Sequence, residues 1–164
     1  MPPDFEQLIR QHSARIRRIA RRYAAADAVD DLVQDILVRL WRSYLSFRAD
    51  AKVETWVYRV ALNAAMTHVK DSIKEREKRS TLAAQSTLTT QLPAPGTAHA
   101  AAGSMADVLA SFLAQLGDVD ASVLMMYLDG LTAEEMSGIL GIGTNAISVR
   151  INRLKQKFSD TYID

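Results

Sequence analysis

Asp31 and Asp35 are the residues of this 164-residue chain best spaced for chemistry. They lie one helical turn apart, a spacing at which two carboxylates can share a divalent cation or divide acid–base work. Nothing in the sequence completes such a site. The three histidines, His12, His68 and His99, fall in unrelated contexts, and there is no cysteine to act as nucleophile or thiolate ligand. No glycine-rich phosphate loop and no Ser-His-Asp arrangement is discernible. The sequence therefore predicts no catalytic residue, no metal site and no cofactor. What remains is the chemistry of recognition.

Recognition is written in charge. Residues 1–79 hold 16 Lys and Arg against 11 Asp and Glu, a surplus of +5; residues 80–164 hold 4 against 8, a deficit of −4. The net +1 hides that asymmetry. Arg10, Arg15, Arg17, Arg18, Arg21 and Arg22 make a basic first segment, while Asp27, Asp30, Asp31 and Asp35 make an acidic patch after it. Lys70, Lys74, Arg76, Lys78 and Arg79 form a third block, diluted by Asp71, Glu75 and Glu77. Faces of opposite sign suit two partners, a polyanion and a basic protein surface; solvated faces, with aspartates favouring a helix N-terminus, are the plain alternative. Between the acidic and mixed blocks runs SFRADAKVETW, which interleaves Phe47, Trp56 and Tyr58 with Arg48, Lys52 and Arg59. Aromatic faces stack on unpaired bases while cations hold the phosphates. A core role is the better reading for Trp56, and the loop is open between the two.

The most specific signal is GLTAEEMSGILGIGTNAISVRINRLKQKF, residues 130–158. Thr132 and Glu135 have capping-box spacing, Met136, Ile139 and Leu140 give one apolar face, and Gly141 supplies the left-handed residue of a turn plugged by Ile142. A second helix follows, with Ile147, Ile151, Leu154 and Phe158 inward. From Met136 to Ser159 there is no acid, whereas Arg150, Arg153, Lys155 and Lys157 are present. An apolar stripe under an acid-free exterior with polar tips suits a DNA major groove. A basic amphipathic hairpin is the plainer alternative.

The elements that must carry these groups all have helical period. Helices are expected from Asp4 to about Ala25, from Asp30 to about Tyr44 with Leu32, Ile36, Leu40, Trp41 and Tyr44 inward, and from about Thr55 to Arg79. Two shorter ones are expected at about Met105–Leu116 and Asp120–Leu128, ahead of the helix-turn-helix. Residues 80–106 contain no charge, are rich in Ala, Ser and Thr, and include Pro93, Pro95 and Gly96, the composition of a flexible tether. The predicted class is all-α, as two small helical bundles: 1–79, a linker at 80–106, and 107–164. The longest apolar run falls far short of the roughly 20 residues of a membrane span, and the N-terminus lacks a signal core. A cytoplasmic protein without membrane insertion is expected.

DDLVQDILVRLWRSY, then FRAD, then TWVYRVALNAAMTHVK, then the uncharged stretch and the helix-turn-helix, in that order, resemble the extracytoplasmic-function (group 4) sigma factors of bacterial RNA polymerase. The resemblance covers about residues 5–79 and 107–160. It implies that Asp31, Gln34 and Asp35 bind core RNA polymerase, and that Phe47, Arg48, Asp50 and Lys52, with Asn63 on the following helix, engage the minus-ten element of promoter DNA. It further implies that Thr144, Ser148, Val149, Asn152 and Arg153 read the minus-thirty-five element, with Arg150 near its phosphates. An anti-sigma factor as partner, a monomer when free and no enzymatic activity are implied as well. The rival from the residues alone is a stand-alone helix-turn-helix regulator with an N-terminal dimerisation or sensing bundle; a helical protein-binding adaptor is a weaker one.

Overall fold

The computed structural model describes residues 4–83 and 103–163, which form seven helices and, among those residues, no strand. The N-terminal lobe comprises α1 (Phe5–Tyr23), α2 (Val29–Tyr44) and α3 (Val53–Ala83); the C-terminal lobe comprises α4 (Met105–Ala114), α5 (Asp118–Leu128), α6 (Ala133–Leu140) and α7 (Thr144–Tyr162).

The N-terminal lobe closes around one apolar stripe from each helix. Leu8, Ile16 and Ile19 of α1, Leu32, Ile36 and Leu40 of α2, and Val57, Ala61, Ala64 and Ala65 of α3 are all buried. Small residues on α3 let α1 and α2 approach it closely. Beyond Val69 the same helix loses its inward stripe, and Lys70 to Leu82 is exposed throughout. The helix nonetheless continues through Ser80–Ala83, the first residues of the uncharged stretch, and α4 begins at Met105, just before that stretch ends. Residues 84–102, the body of the predicted tether, lie outside the described residues.

Trp41 departs from the predicted inward set: it is 55% exposed, its ring edge-on to Phe5 at 4.9 Å. The reason is angular. At about 100° per residue, nine positions beyond Leu32 bring the chain to the opposite side of the helix.

In the C-terminal lobe the local signals hold. The Thr132–Glu135 capping box forms in both directions, and Gly141 closes α6 at φ 69°, a conformation where a side chain would be strained. Ile147 and Leu154 of α7 are buried, Ile151 and Phe158 partly so, against a core of Phe112, Val123, Met126 and Met136. A second capping box, Ser104 with Asp107, starts α4.

Candidate functional site

Helix α2 turns two different faces outward and inward. With Leu32, Ile36 and Leu40 buried, Asp31 and Gln34 are exposed and Asp35 is partly exposed. The same outer face continues through Val38, Trp41 and Leu45, exposed at 46%, 55% and 87%. Asp35 accepts a hydrogen bond from Arg39 one turn on, at 3.0 Å, and Asp31 has no ion-pair partner among the described residues. The outcome is a stripe that is acidic at its N-terminal end and apolar at its C-terminal end. Unlike the scattered exposed apolar residues of an ordinary surface, this contiguous run has the make-up of a binding face.

The loop after α2 is held by Ala49, whose φ of 57° is unusual for a residue with a side chain. It brings Phe47 against Trp56, ring centroids 4.8 Å apart and tilted by 30°. Neither ring is wholly in the core. Together with Arg48, Asp50 and Arg59 they wall a cavity of about 280 Å³ open to solvent. Asn63 is exposed on α3 one turn beyond Arg59, so the pocket's cation and the amide share a face. An aromatic wall flanked by guanidinium groups can stack a planar ring and hold an adjoining phosphate.

Asn145, Ser148, Val149, Asn152 and Arg153 are among the exposed positions of α7, with Thr144 partly exposed at the helix start. Ser148 donates to the Thr144 carbonyl at 3.1 Å. Arg153 and Lys157 make no ion pair among the described residues, and Lys155 stands over the Tyr127 ring at 4.7 Å. Arg150 differs, for it is paired at 2.6 Å with Asp120 of α5. A pair so placed ties the first turns of α7 to α5.

The structure also assembles a site that the sequence did not point to. Asp129, just past α5, is largely buried and accepts from Arg15 Nε at 2.9 Å, from Arg18 Nη1 at 3.2 Å and from the hydroxyl of Tyr58. Burial by itself would raise its carboxyl pKa; the Tyr58 and Arg15 hydrogen bonds and the charges of Arg18 and Arg15 outweigh that and hold it below the usual 3.8. Its charge therefore strengthens the contact above that pH and is lost on protonation below it. The Tyr58 hydroxyl is pushed far up by burial and by donating to a carboxylate, so it remains a donor. Nearby, Arg22 donates to the Leu116 carbonyl at 2.5 Å and pairs with Asp118, while Tyr23 donates to the Asp118 carbonyl at 2.8 Å. Lys52 of the loop pairs at 3.0 Å with Glu135, whose carboxyl is held low by the Thr132 backbone N–H and by Lys52. The only sequence signal for Asp129 is its place in an Asp-Gly turn, with Gly130 at φ 82°.

Among the described residues no cluster of three or more potential metal ligands occurs, and no helix is long and apolar enough to cross a membrane.

Residues 8–74 match the family described as Sigma-70 region 2. Along almost the whole chain there is similarity to the RNA polymerase sigma factor CnrH of Cupriavidus metallidurans, 27% identical across 94% of this chain and 84% of that protein. The extracytoplasmic-function (ECF) sigma factor SigE of Mycolicibacterium smegmatis is 26% identical across 96% of this chain, which spans 61% of SigE. SigM of Mycobacterium tuberculosis is 34% identical over 67 residues. The fold matches that of CnrH solved with the cytosolic domain of CnrY, with TM-score 0.62 and 25% identity over 95% of this chain and 85% of the other. It also matches sigma factor RpoE solved with the anti-sigma factor NepR from Bartonella quintana, with TM-score 0.69 over 96% and 95% of the two chains at 18% identity. The chain thus carries a Sigma-70 region 2 domain, and along nearly its whole length it is similar in sequence and in helical fold to RNA polymerase sigma factors, an extracytoplasmic-function one among them.

Proposed function

We propose that this chain is the promoter-specificity subunit of a bacterial RNA polymerase in its cytoplasm. Residues 1–79 act as the core-binding and minus-ten lobe, 80–106 as the tether and 107–164 as the minus-thirty-five lobe. Asp31, Gln34 and Asp35 face a basic surface of core polymerase, and the apolar run Val38–Trp41–Leu45 extends that contact. Charge gives orientation and rate, and the buried apolar area gives holding strength.

The cavity walled by Phe47 and Trp56 receives an unpaired base of the minus-ten element. Arg48, Lys52 and Arg59 hold its backbone and Asn63 offers an amide to a neighbouring base edge. Capturing a base that has left the stack shifts the duplex towards the melted state, so strand opening needs no chemistry from the chain itself. Helix α7 enters the major groove of the minus-thirty-five element with Ser148, Asn152 and Arg153 towards base edges and Val149 towards a thymine methyl. An anti-sigma factor is the further partner expected, since the similarly folded RpoE was solved with the anti-sigma factor NepR and CnrH with the cytosolic domain of a second protein, CnrY.

The observation that carries this reading is the juxtaposition, on the lobe matching Sigma-70 region 2, of an exposed acidic–apolar stripe with an aromatic–cationic pocket. A stand-alone regulator has use for the helix-turn-helix but not for that pair. The test is run-off transcription with core polymerase on a library of genomic promoters, the native chain beside Trp56→Ala. Promoter-selective transcripts that depend on the chain and weaken in the variant are expected. Operator binding by a dimer with no effect on core polymerase would favour the regulator instead.

A further inference from the structure

Arg18, Arg21 and Arg22 stand three and four residues apart, on one face of α1. That face borders a cavity of about 410 Å³, bounded on its far side by Ala110 and Leu113 of α4 and by Met125 of α5. The lining is of two kinds only. One side is guanidinium, the other is aliphatic or thioether, and among the described residues no carboxylate, amide, hydroxyl or aromatic side chain belongs to it. A space of this size lies at the small end of the range of ligand sites.

The cations around it are incompletely matched. Arg18 reaches Asp129 at 3.2 Å, a carboxylate that Arg15 already holds at 2.9 Å. Arg22 pairs with Asp118 at 3.5 Å and donates to the Leu116 carbonyl, but its Nε is buried without an acceptor. Buried N–H groups are almost always paired, so the chain leaves this guanidinium partly unsatisfied. Arg21 has no ion pair and no hydrogen bond among the described residues. Four arginines of α1 thus share two carboxylates. The uncharged stretch 80–106 holds no acid that could make up the difference.

The lining also selects what such an anion is attached to. Inorganic phosphate would answer the cations and leave the apolar wall in water. A nucleotide would bring a base for which the cavity has neither a ring to stack on nor an amide to pair with. The complement of guanidinium on one side and aliphatic surface on the other is an oxyanion carried on a saturated chain.

We propose that this cavity is a binding site for a small amphipathic anion, a carboxylate or phosphate monoester on an aliphatic chain of about ten carbons. The head lies at the Arg21 and Arg22 guanidinium groups, and the chain lies along Ala110, Leu113 and Met125. A guanidinium presents parallel N–H donors to two oxygens of such a head, and the chain gains by leaving water. None of these residues belongs to the polymerase-binding or DNA-reading sets, so the site does not rest on the promoter reading.

The test is isothermal titration calorimetry on the full chain, with decanoate and decyl phosphate as probes below their micellar concentrations. Decanol and inorganic phosphate serve as the two halves of the ligand taken separately. One decanoate or decyl phosphate should bind per chain, and each half should bind about ten-fold more weakly or worse. The tighter of the two heads names the source, a free fatty acid or a phosphorylated alkyl compound. Arg21→Gln removes the unpaired cation from an exposed position and should weaken both probes about ten-fold while leaving decanol unchanged. Ala110→Glu, at another exposed helical position, sets a carboxylate of the chain before the arginines and should abolish binding. Circular dichroism checks that both variants fold, and if Ala110→Glu does not, Arg21→Gln decides. No saturable binding of either probe by the native chain overturns the proposal. Decanol binding as tightly as decanoate overturns it too, because the site is then only apolar. Uptake of many probe molecules without saturation, or native affinity in the folded variants, places the binding elsewhere and has the same force.

Discussion

Helix α1 carries six arginines and α2 three aspartates, and as sequence both are charge blocks waiting for a partner. In space they diverge. Arg15, Arg18 and Arg22 of α1 end on acids or a carbonyl of the same chain's other lobe, whereas Asp31 of α2 meets none and Asp35 meets only an arginine of its own helix. The difference teaches that a charge run does not say whether its complement is internal. Four ion pairs join the +5 half of the chain to the −4 half, while Asp31 on the outer face of α2 has no ion-pair partner among the described residues.

The largest expected effect tests that outward face. Asp31→Arg should abolish binding of core polymerase in a competition assay while thermal unfolding is unchanged, since a like-charge contact costs several kcal/mol and the residue is exposed. Undiminished competition would put the interface elsewhere. A lesser effect belongs to the recognition helix, where Arg153→Ala should cost about 1–3 kcal/mol and relax preference at one position of a randomised minus-thirty-five site. Lys157→Ala should weaken all sequences alike and lower the salt slope by about one. An unchanged preference profile in Arg153→Ala would leave Ser148 and Asn152 as the base readers.

The inward face is probed by Tyr58→Phe, which keeps the ring packed and removes one donor to Asp129. About 1–2 kcal/mol of stability should be lost in chemical unfolding, because the largely buried Asp129 carboxylate loses one of its donors and keeps Arg15 and Arg18. No loss would mean that Arg15 and Arg18 suffice. The smallest effect expected is a pH dependence at His12. That ring is buried, and Arg15 Nη1 donates to its Nδ1 at 2.8 Å, which fixes the neutral form. Burial first, then Arg15, lowers its pKa below 6.5, against opposing pulls from Glu54 of α3 and from Asp129. The unfolded chain thus takes up a proton sooner, so stability present above about pH 6.5 declines as pH falls below it. His12→Gln should flatten that decline between about pH 7.5 and 5.5; an identical slope in the variant would assign it to other groups.

The sequence by itself determined the all-α class and the start and stop of the helix-turn-helix, since those depend on contacts within four residues: Thr132 with Glu135, and Gly141 with the end of α6. It also carried the order of motifs that marks the family, because short-range spacing survives in a linear string. Long-range pairing does not. Trp41 turned outward because its helix had a better apolar stripe to bury, a choice made only when α1 and α3 pack against it. Phe47 and Trp56 became a shared wall because the loop folds back on α3. Asp129, 114 residues from Arg15, acquired its partners only when the lobes met. Electrostatic complementarity between distant segments depends on distances of a few ångströms, and those the tertiary structure alone decides.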